Sequence, residues 1–242
     1  MDNFHKSVIR ANQEIIKKVQ YLKDPLLKTP FKRGAGGDIS YGIDRISEEI
    51  FIKHLSKYGK IVSEEIGEFG EGELKIVIDP IDGSSNLLSN FPYYGSSVAL
   101  YNKEGKVIYG GVCNFATKEY FYKKEDSSVE IIDIFLLNQI SYGHIQKGKI
   151  GIFEKAYKNY KVVYFLDQKG LKFRSPGAVA LSLAYTQFAL FFLYIGEVRI
   201  YDFAAGLFLV EGMDIRIGKN YVIVSKDKAL TSLIEEGIKE YI

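Results

Sequence analysis

The sequence predicts an α/β (α+β) chain of layered construction, and three observations carry that expectation. Two stretches near the N-terminus repeat apolar residues at helical spacing, and a central stretch breaks into short Val-, Ile- and Tyr-rich runs. The C-terminal half alternates apolar runs with helical patterns, the signature of packed layers. With 242 residues, 47% of them hydrophobic, the chain is long enough to bury a substantial core.

The elements follow in order. Phe4, Val8, Ile15, Ile16 and Val19 stand among Lys, Arg, Glu and Gln, which predicts an amphipathic helix over 3–22. Pro25 and Pro30 bracket a break, and the FKRGAGG segment at 31–37, with three glycines and two cations, is expected to be a flexible basic loop. Ile43, Ile46, Ile50, Phe51 and Leu55 predict a second helix over 41–58. Strands are expected at 75–78, 95–101, 107–114 and 120–123, with Asn102-Lys103-Glu104-Gly105 as a hairpin turn, so these runs form an antiparallel meander. Later runs at 149–153, 161–166, 188–195 and 221–224 read as strands, between helical patterns at 177–186 and 202–210. Segment 178–195 is apolar, but Ser182, Thr186 and Gln187 interrupt it, so it reads as a buried helix and strand rather than a membrane span. A change of pattern near 126–133 divides the chain into an N-terminal α+β half (1–130) and a C-terminal α/β half (131–242) that completes one site.

Composition narrows the function. Lys plus Arg (32) nearly balances Asp plus Glu (30), and a net charge of +2 supplies no field for nucleic acid or an anionic membrane. The single cysteine, Cys113, lies in an apolar run and reads as a buried structural thiol in a reducing interior. The N-terminal residues lack the apolar stretch of a signal peptide, so a cytoplasmic protein is expected.

Chemistry concentrates in IVIDPIDGSSN at 76–86. A buried strand ends at Asp79 and a second carboxylate follows at Asp82, before Gly83, Ser84 and Ser85. Such residues are common as turn and cap formers, which is the bland reading of the segment alone. Against it stand two further acidic sites at expected element ends, Glu64-Glu65 after Ile61-Val62 and Asp202 after a long apolar strand. Converging carboxylates are a pattern of hard divalent cations, and a Gly-Ser-Ser helix start suits an anion. The haloacid dehalogenase phosphatases need Asp-x-Asp and an EF-hand needs alternating oxygen ligands, so both fail on spacing. His5, His54 and His144 sit in no nucleophile motif.

These residues resemble the inositol monophosphatase and fructose-1,6-bisphosphatase superfamily. Asp79-Pro80-Ile81-Asp82-Gly83-Ser84 is similar to its signature, Ser63-Glu64-Glu65 to its acidic element, and Tyr201-Asp202-Phe203-Ala204-Ala205-Gly206 to its Trp-Asp element. Residues 37–44 resemble its mobile loop with Asp44 behind, and Arg174-Ser175-Pro176-Gly177-Ala178 its substrate-contacting segment. Tyr201 replaces the usual Trp and Ser84 the commoner Thr, and each keeps the relevant chemistry.

The resemblance implies an αβαβα sandwich, usually a homodimer, that hydrolyses a small sugar or polyol phosphate with two or three Mg²⁺ ions. Glu64, Asp79 and the Ile81 carbonyl would hold one ion, and Asp79, Asp82 and Asp202 another, with a third, weaker ion near Glu64. Asp44, Ser84 and Glu64 would be catalytic, with Ser84 hydrogen-bonded to Asp44. Gly83, Ser84, Ser85 and Gly177 would bind substrate. Arg174 and Arg199, as isolated cations, read either as partners of a second phosphate through charge-assisted bonds or equally as surface charges. Inositol-selective members place a Glu shortly before the Asp element; Glu197 is the nearest residue here, in a different register. The short chain and the YDFAAG element are most similar to archaeal enzymes acting on both fructose 1,6-bisphosphate and inositol 1-phosphate. The runners-up are a 3′-phosphoadenosine 5′-phosphate phosphatase and a regulatory binding protein with a residual metal site.

Overall fold

The computed structural model describes residues 1–19, 29–34, 39–142 and 148–241. The segments 20–28, 35–38 and 143–147 lie outside the described residues, and with them His144 and the first two residues, Gly37 and Asp38, of the expected mobile loop.

Helices α1 (Asp2–Val19) and α2 (Gly42–Leu55) form at the positions their periodicity predicts. Both bury one stripe, Phe4, Val8, Ile15 and Ile16 on α1 with Ile43, Ile50, Phe51 and Leu55 on α2. Between them, β1 (Pro30–Arg33) pairs antiparallel with β2 (Ile39–Tyr41). Residues 31–33 are therefore strand rather than loop. The ladder partner, not an apolar run, makes them so, and that partner is invisible to local pattern.

The first sheet comprises β3 (Lys60–Ser63), β4 (Gly67–Phe69), β5 (Lys75–Asp82), β6 (Gly95–Tyr101), β7 (Val107–Asn114), β8 (Glu119–Lys124) and β9 (Glu130–Asp133). Its order is β4-β3-β5-β6-β7-β8-β9, with β3 and β5 parallel and the other neighbours antiparallel, so the expected meander is present and extended at both edges. The turn at 102–105 closes through Gly105 N–H to the Asn102 carbonyl (3.0 Å) and Lys106 N–H to Asn102 Oδ1 (2.8 Å), with Gly105 at positive φ. Helix α3 (Ser84–Leu88) follows β5 directly.

The second sheet has the order β11-β10-β12-β14-β13, built from β10 (Gly151–Glu154), β11 (Phe173–Arg174), β12 (Phe192–Ile195), β13 (Asp214–Ile217) and β14 (Tyr221–Ser225). Helices α4 (Tyr160–Gln168), α5 (Val179–Tyr185), α6 (Ile200–Leu209) and α7 (Lys228–Ile238) complete the fold. The run at 161–166, expected as a strand, belongs to α4. Val162 and Leu166 are buried four residues apart while Lys161 and Tyr164 are exposed, a helical burial period that its Val-Val-Tyr-Phe composition hides.

The alternation of side chains across each sheet builds the layers. On the first sheet Ile76 and Ile78 join the core under α1 and α2, while Val77 faces α5 and α6. On the second, Phe192, Tyr194, Val222 and Val224 meet Leu183 of α5 and Phe203 of α6, and Leu193 and Ile223 meet α4 and α7. The result is an αβαβα sandwich. Cys113 is fully buried, as its apolar setting predicts. No helix among the described residues is long and apolar enough to cross a membrane.

Candidate active site

Asp79 and Asp82 sit on one strand but three residues apart, a spacing that would point them to opposite faces of a regular ladder. The register shows how they come together. Asp79 pairs with Ser97 and Asp82 with Gly95, so β5 carries one residue more than β6 across this interval. That bulge resets the alternation, and Pro80 sits inside it, where a missing N–H costs the ladder little. Gly83 then turns the chain at φ 85°, a conformation glycine adopts without a Cβ clash, and α3 starts at Ser84.

Two other elements bring carboxylates to the same point. Glu64 follows β3, whose parallel pairing with β5 aligns the two strand ends, and Glu48 on α2 accepts the Ile66 N–H (2.9 Å) to hold the following turn. Asp202 lies in the first turn of α6, a favourable place for an anion, and the Tyr201 carbonyl accepts Ser97 Oγ–H (2.9 Å) to fix that helix to the first sheet. Carboxylate oxygens of Glu64, Asp79 and Asp202 lie within 4.8 Å of one another. Asp82 accepts the Leu181 N–H of α5 (2.9 Å) and Asp79 accepts the Ile81 N–H (3.0 Å).

Asp79, Asp82 and Asp202 are each 3–4% exposed. Burial, then the charges of neighbouring carboxylates, pushes Asp79 well above the usual carboxylate range; burial, with Asp202 and Glu154 nearby, does the same to Asp82. Crowded, desolvated carboxylates with oxygen-only donors are a set that a hard divalent cation neutralises, so the residues present fit the expected metal.

Asp44 sits on α2, where Tyr41 N–H donates to its Oδ2 (2.7 Å). Burial raises its carboxyl to about 7, with Glu65, Glu64 and Glu48 adding to the rise. Ser84 and Asp44 line the same cleft without a direct hydrogen bond between them, contrary to the expected pair, because the carboxylate is turned back onto its own helix start.

The cleft, of about 490 Å³, is lined by Asp44, Glu64, Asp79, Ile81, Asp82, Gly83, Ser84, Ser85, Gly177, Arg199 and Asp202, which gathers every expected site residue except one. Arg174 is elsewhere. It ends β11 at the sheet edge, exposed, with its guanidinium donating to the Phe173 carbonyl (2.8 Å) and lining a separate groove with Tyr160 and Tyr164. Gly177 reaches the cleft because the Pro176 carbonyl before it accepts Asn86 Nδ2–H (2.7 Å), and strand pairing with β10 draws Arg174 away. Arg199 is in the cleft, but held by acids: Nη1 pairs with Glu64 Oε1 (2.8 Å), and Nε and Nη2 with Asp202 (2.9 and 3.2 Å).

Glu154, Lys155, Tyr157 and Lys158 also line the cleft and were not expected from the sequence. Glu154 is 1% exposed and accepts the Gly177 and Ala178 N–H groups and the Ser182 hydroxyl. Its signal was available, since it ends an apolar strand run as Asp79 does. The two lysines carried none, because surface lysines are everywhere.

The inositol monophosphatase family profile matches residues 5–214. The chain is 30% identical over 200 residues to the fructose-1,6-bisphosphatase/inositol-1-monophosphatase of Methanothermobacter thermautotrophicus, covering 74% of this chain and 71% of that one. It is 29% identical over 188 residues to the protein of the same name from Archaeoglobus fulgidus, covering 74% and 69%. Thermotoga maritima IMPase superposes with a TM-score of 0.78 at 23% identity, covering 99% of both chains, which shows the shared fold.

Proposed function

Because this chain belongs to the inositol monophosphatase family and is a phosphatase, we propose that it hydrolyses both fructose 1,6-bisphosphate, at C1, and inositol 1-phosphate with Mg²⁺ as its cation. The observation that carries this reading is the convergence of Glu64, Asp79 and Asp202 beside Asp82 and the Gly83-Ser84-Ser85 turn.

Glu64, Asp79, Asp82, Asp202 and the Ile81 carbonyl would hold two or three ions. When bound, the cation supplies Lewis-acid polarisation of a phosphoryl oxygen and acidifies a nucleophilic water. The chain's own residues do the rest. The first N–H groups of α3 and that of Gly83 bind phosphate oxygens and orient the ester, since helix starts leave such donors unsatisfied. Asp44 and Ser84 line the cleft and orient the attacking water, and Asp44 takes a proton from that water directly rather than through the Ser84 hydroxyl, to which it is not hydrogen-bonded. Glu64 helps hold the attacking water, and Ser85 and Gly177 shape the phosphate end of the cleft. Lys155 and Lys158, which line the cleft, take the second phosphate of a bisphosphate in place of Arg174, which lines a separate groove. The family resemblance supports a homodimer, and a single buried thiol fits a reducing, cytoplasmic setting.

The test is phosphate release from both substrates in parallel, with Mg²⁺ and with EDTA. Magnesium-dependent turnover of both is expected. Hydrolysis of 3′-phosphoadenosine 5′-phosphate with neither of these turned over would overturn the substrate assignment.

A further inference from the structure

Arg199 stands immediately before α6, where the helix dipole opposes a cation. What offsets this is its fork on two acids: one nitrogen on Glu64 and two on Asp202, which offers both its oxygens to the guanidinium. Glu64 and Asp202 are two of the three carboxylates whose oxygens converge within 4.8 Å. A guanidinium and a divalent cation drawing on the same oxygens repel each other at short range, in a setting where the acids are largely buried and screening is weak.

We propose that Arg199 is an internal competitor for the divalent cation, a positioning residue that neutralises Glu64 and Asp202 and must give up at least part of that fork when the cation binds. The inference rests on the metal-dependent reading above. Its consequence is that Arg199 sets cation affinity: it keeps the acidic cluster folded and compact before loading, and it weakens loading itself. Displaced from the carboxylates, the same guanidinium becomes available to an anion in the cleft, so cation and anion binding are coupled through one side chain.

The experiment is direct titration of the full, EDTA-stripped protein with Mn²⁺ in the absence of substrate, followed calorimetrically or by the electron paramagnetic resonance signal of free Mn²⁺. Arg199→Gln keeps a polar side chain and removes the charge. It is expected to bind Mn²⁺ about tenfold more tightly than wild type and to melt at lower temperature in EDTA. Arg199→Lys, which keeps the charge but loses the fork, falls between and decides the matter should the glutamine variant not fold. Mn²⁺ affinity equal to or weaker than wild type in a cooperatively melting variant overturns the competition. Absence of Mn²⁺ binding to wild type overturns the metal-dependent reading itself, and the inference with it.

Discussion

Glu154, at the end of β10, accepts the N–H of Gly177 at 3.0 Å, so a buried acid of the second sheet holds the turn that closes one side of the cleft. The same carboxylate takes the Ala178 N–H and the Ser182 hydroxyl, tying the start of α5 to the strand. In Glu154→Gln the new amide N–H groups confront three donors. The expected cost is about 1–3 kcal/mol of stability, and the displaced turn raises KM for phosphate esters more than it lowers kcat. Denaturant titration and steady-state kinetics on one preparation check both; unchanged KM would leave Glu154 a purely structural acid.

Asp79 is crowded by Glu64, Asp82 and Asp202 and desolvated, so it opposes folding until a cation is bound. Asp79→Asn is expected to lower magnesium-dependent activity by about a thousandfold or more, while raising the melting temperature in EDTA by several degrees. The rise in melting temperature that Mg²⁺ is expected to give wild type is expected to disappear in the variant. Scanning calorimetry with and without Mg²⁺ distinguishes this from simple misfolding, which would lower the EDTA value.

Lys158 lines the cleft beside Lys155, whose Nζ is already hydrogen-bonded to the Tyr194 hydroxyl (2.6 Å). Lys158→Ala is expected to raise KM for fructose 1,6-bisphosphate about tenfold, the value of one charge-assisted hydrogen bond, and to leave inositol 1-phosphate little affected. Equal effects on the two substrates would place the second phosphate elsewhere.

His5 packs against Tyr109, Tyr120 and Tyr122, with Nδ1 within 2.9 Å of the Tyr109 hydroxyl. Burial lowers its pKa from 6.5 to about 4, and Lys124 pushes the same way. The unfolded chain therefore takes up this proton first as pH falls. The stabilisation is complete above about 6.5 and is lost progressively toward 4. Urea midpoints for wild type and His5→Gln should differ in slope across that window, since the carboxylate contributions are common to both; parallel curves would show that His5 titrates normally.

Much of this was legible before any coordinates. The helical stripes of α1 and α2 and the runs of β5 to β8 are local periodicities, and the acids at 64, 79, 82 and 202 stand out because each interrupts or ends an apolar element. Where reading failed, the deciding contact was distant in sequence. Residues 31–33 are strand because 39–41 pair with them. The run at 161–166 is helix because only one of its faces has a core to pack on. Arg174 and Arg199 looked alike as isolated cations, yet strand pairing carries one to an exposed edge while two acids hold the other inside the cleft.

By itself, then, the sequence determined the family, the layer pattern and the acidic donor set, all of which depend on residue type and short-range spacing. Only the tertiary structure decided that a one-residue bulge turns Asp79 and Asp82 to the same side, that Glu154 and two lysines line the same cleft, and that Arg199 is clasped by Glu64 and Asp202. The physical reason is that side-chain direction and charge pairing are set by register and by contacts across layers, and those interactions leave no periodic trace along the chain.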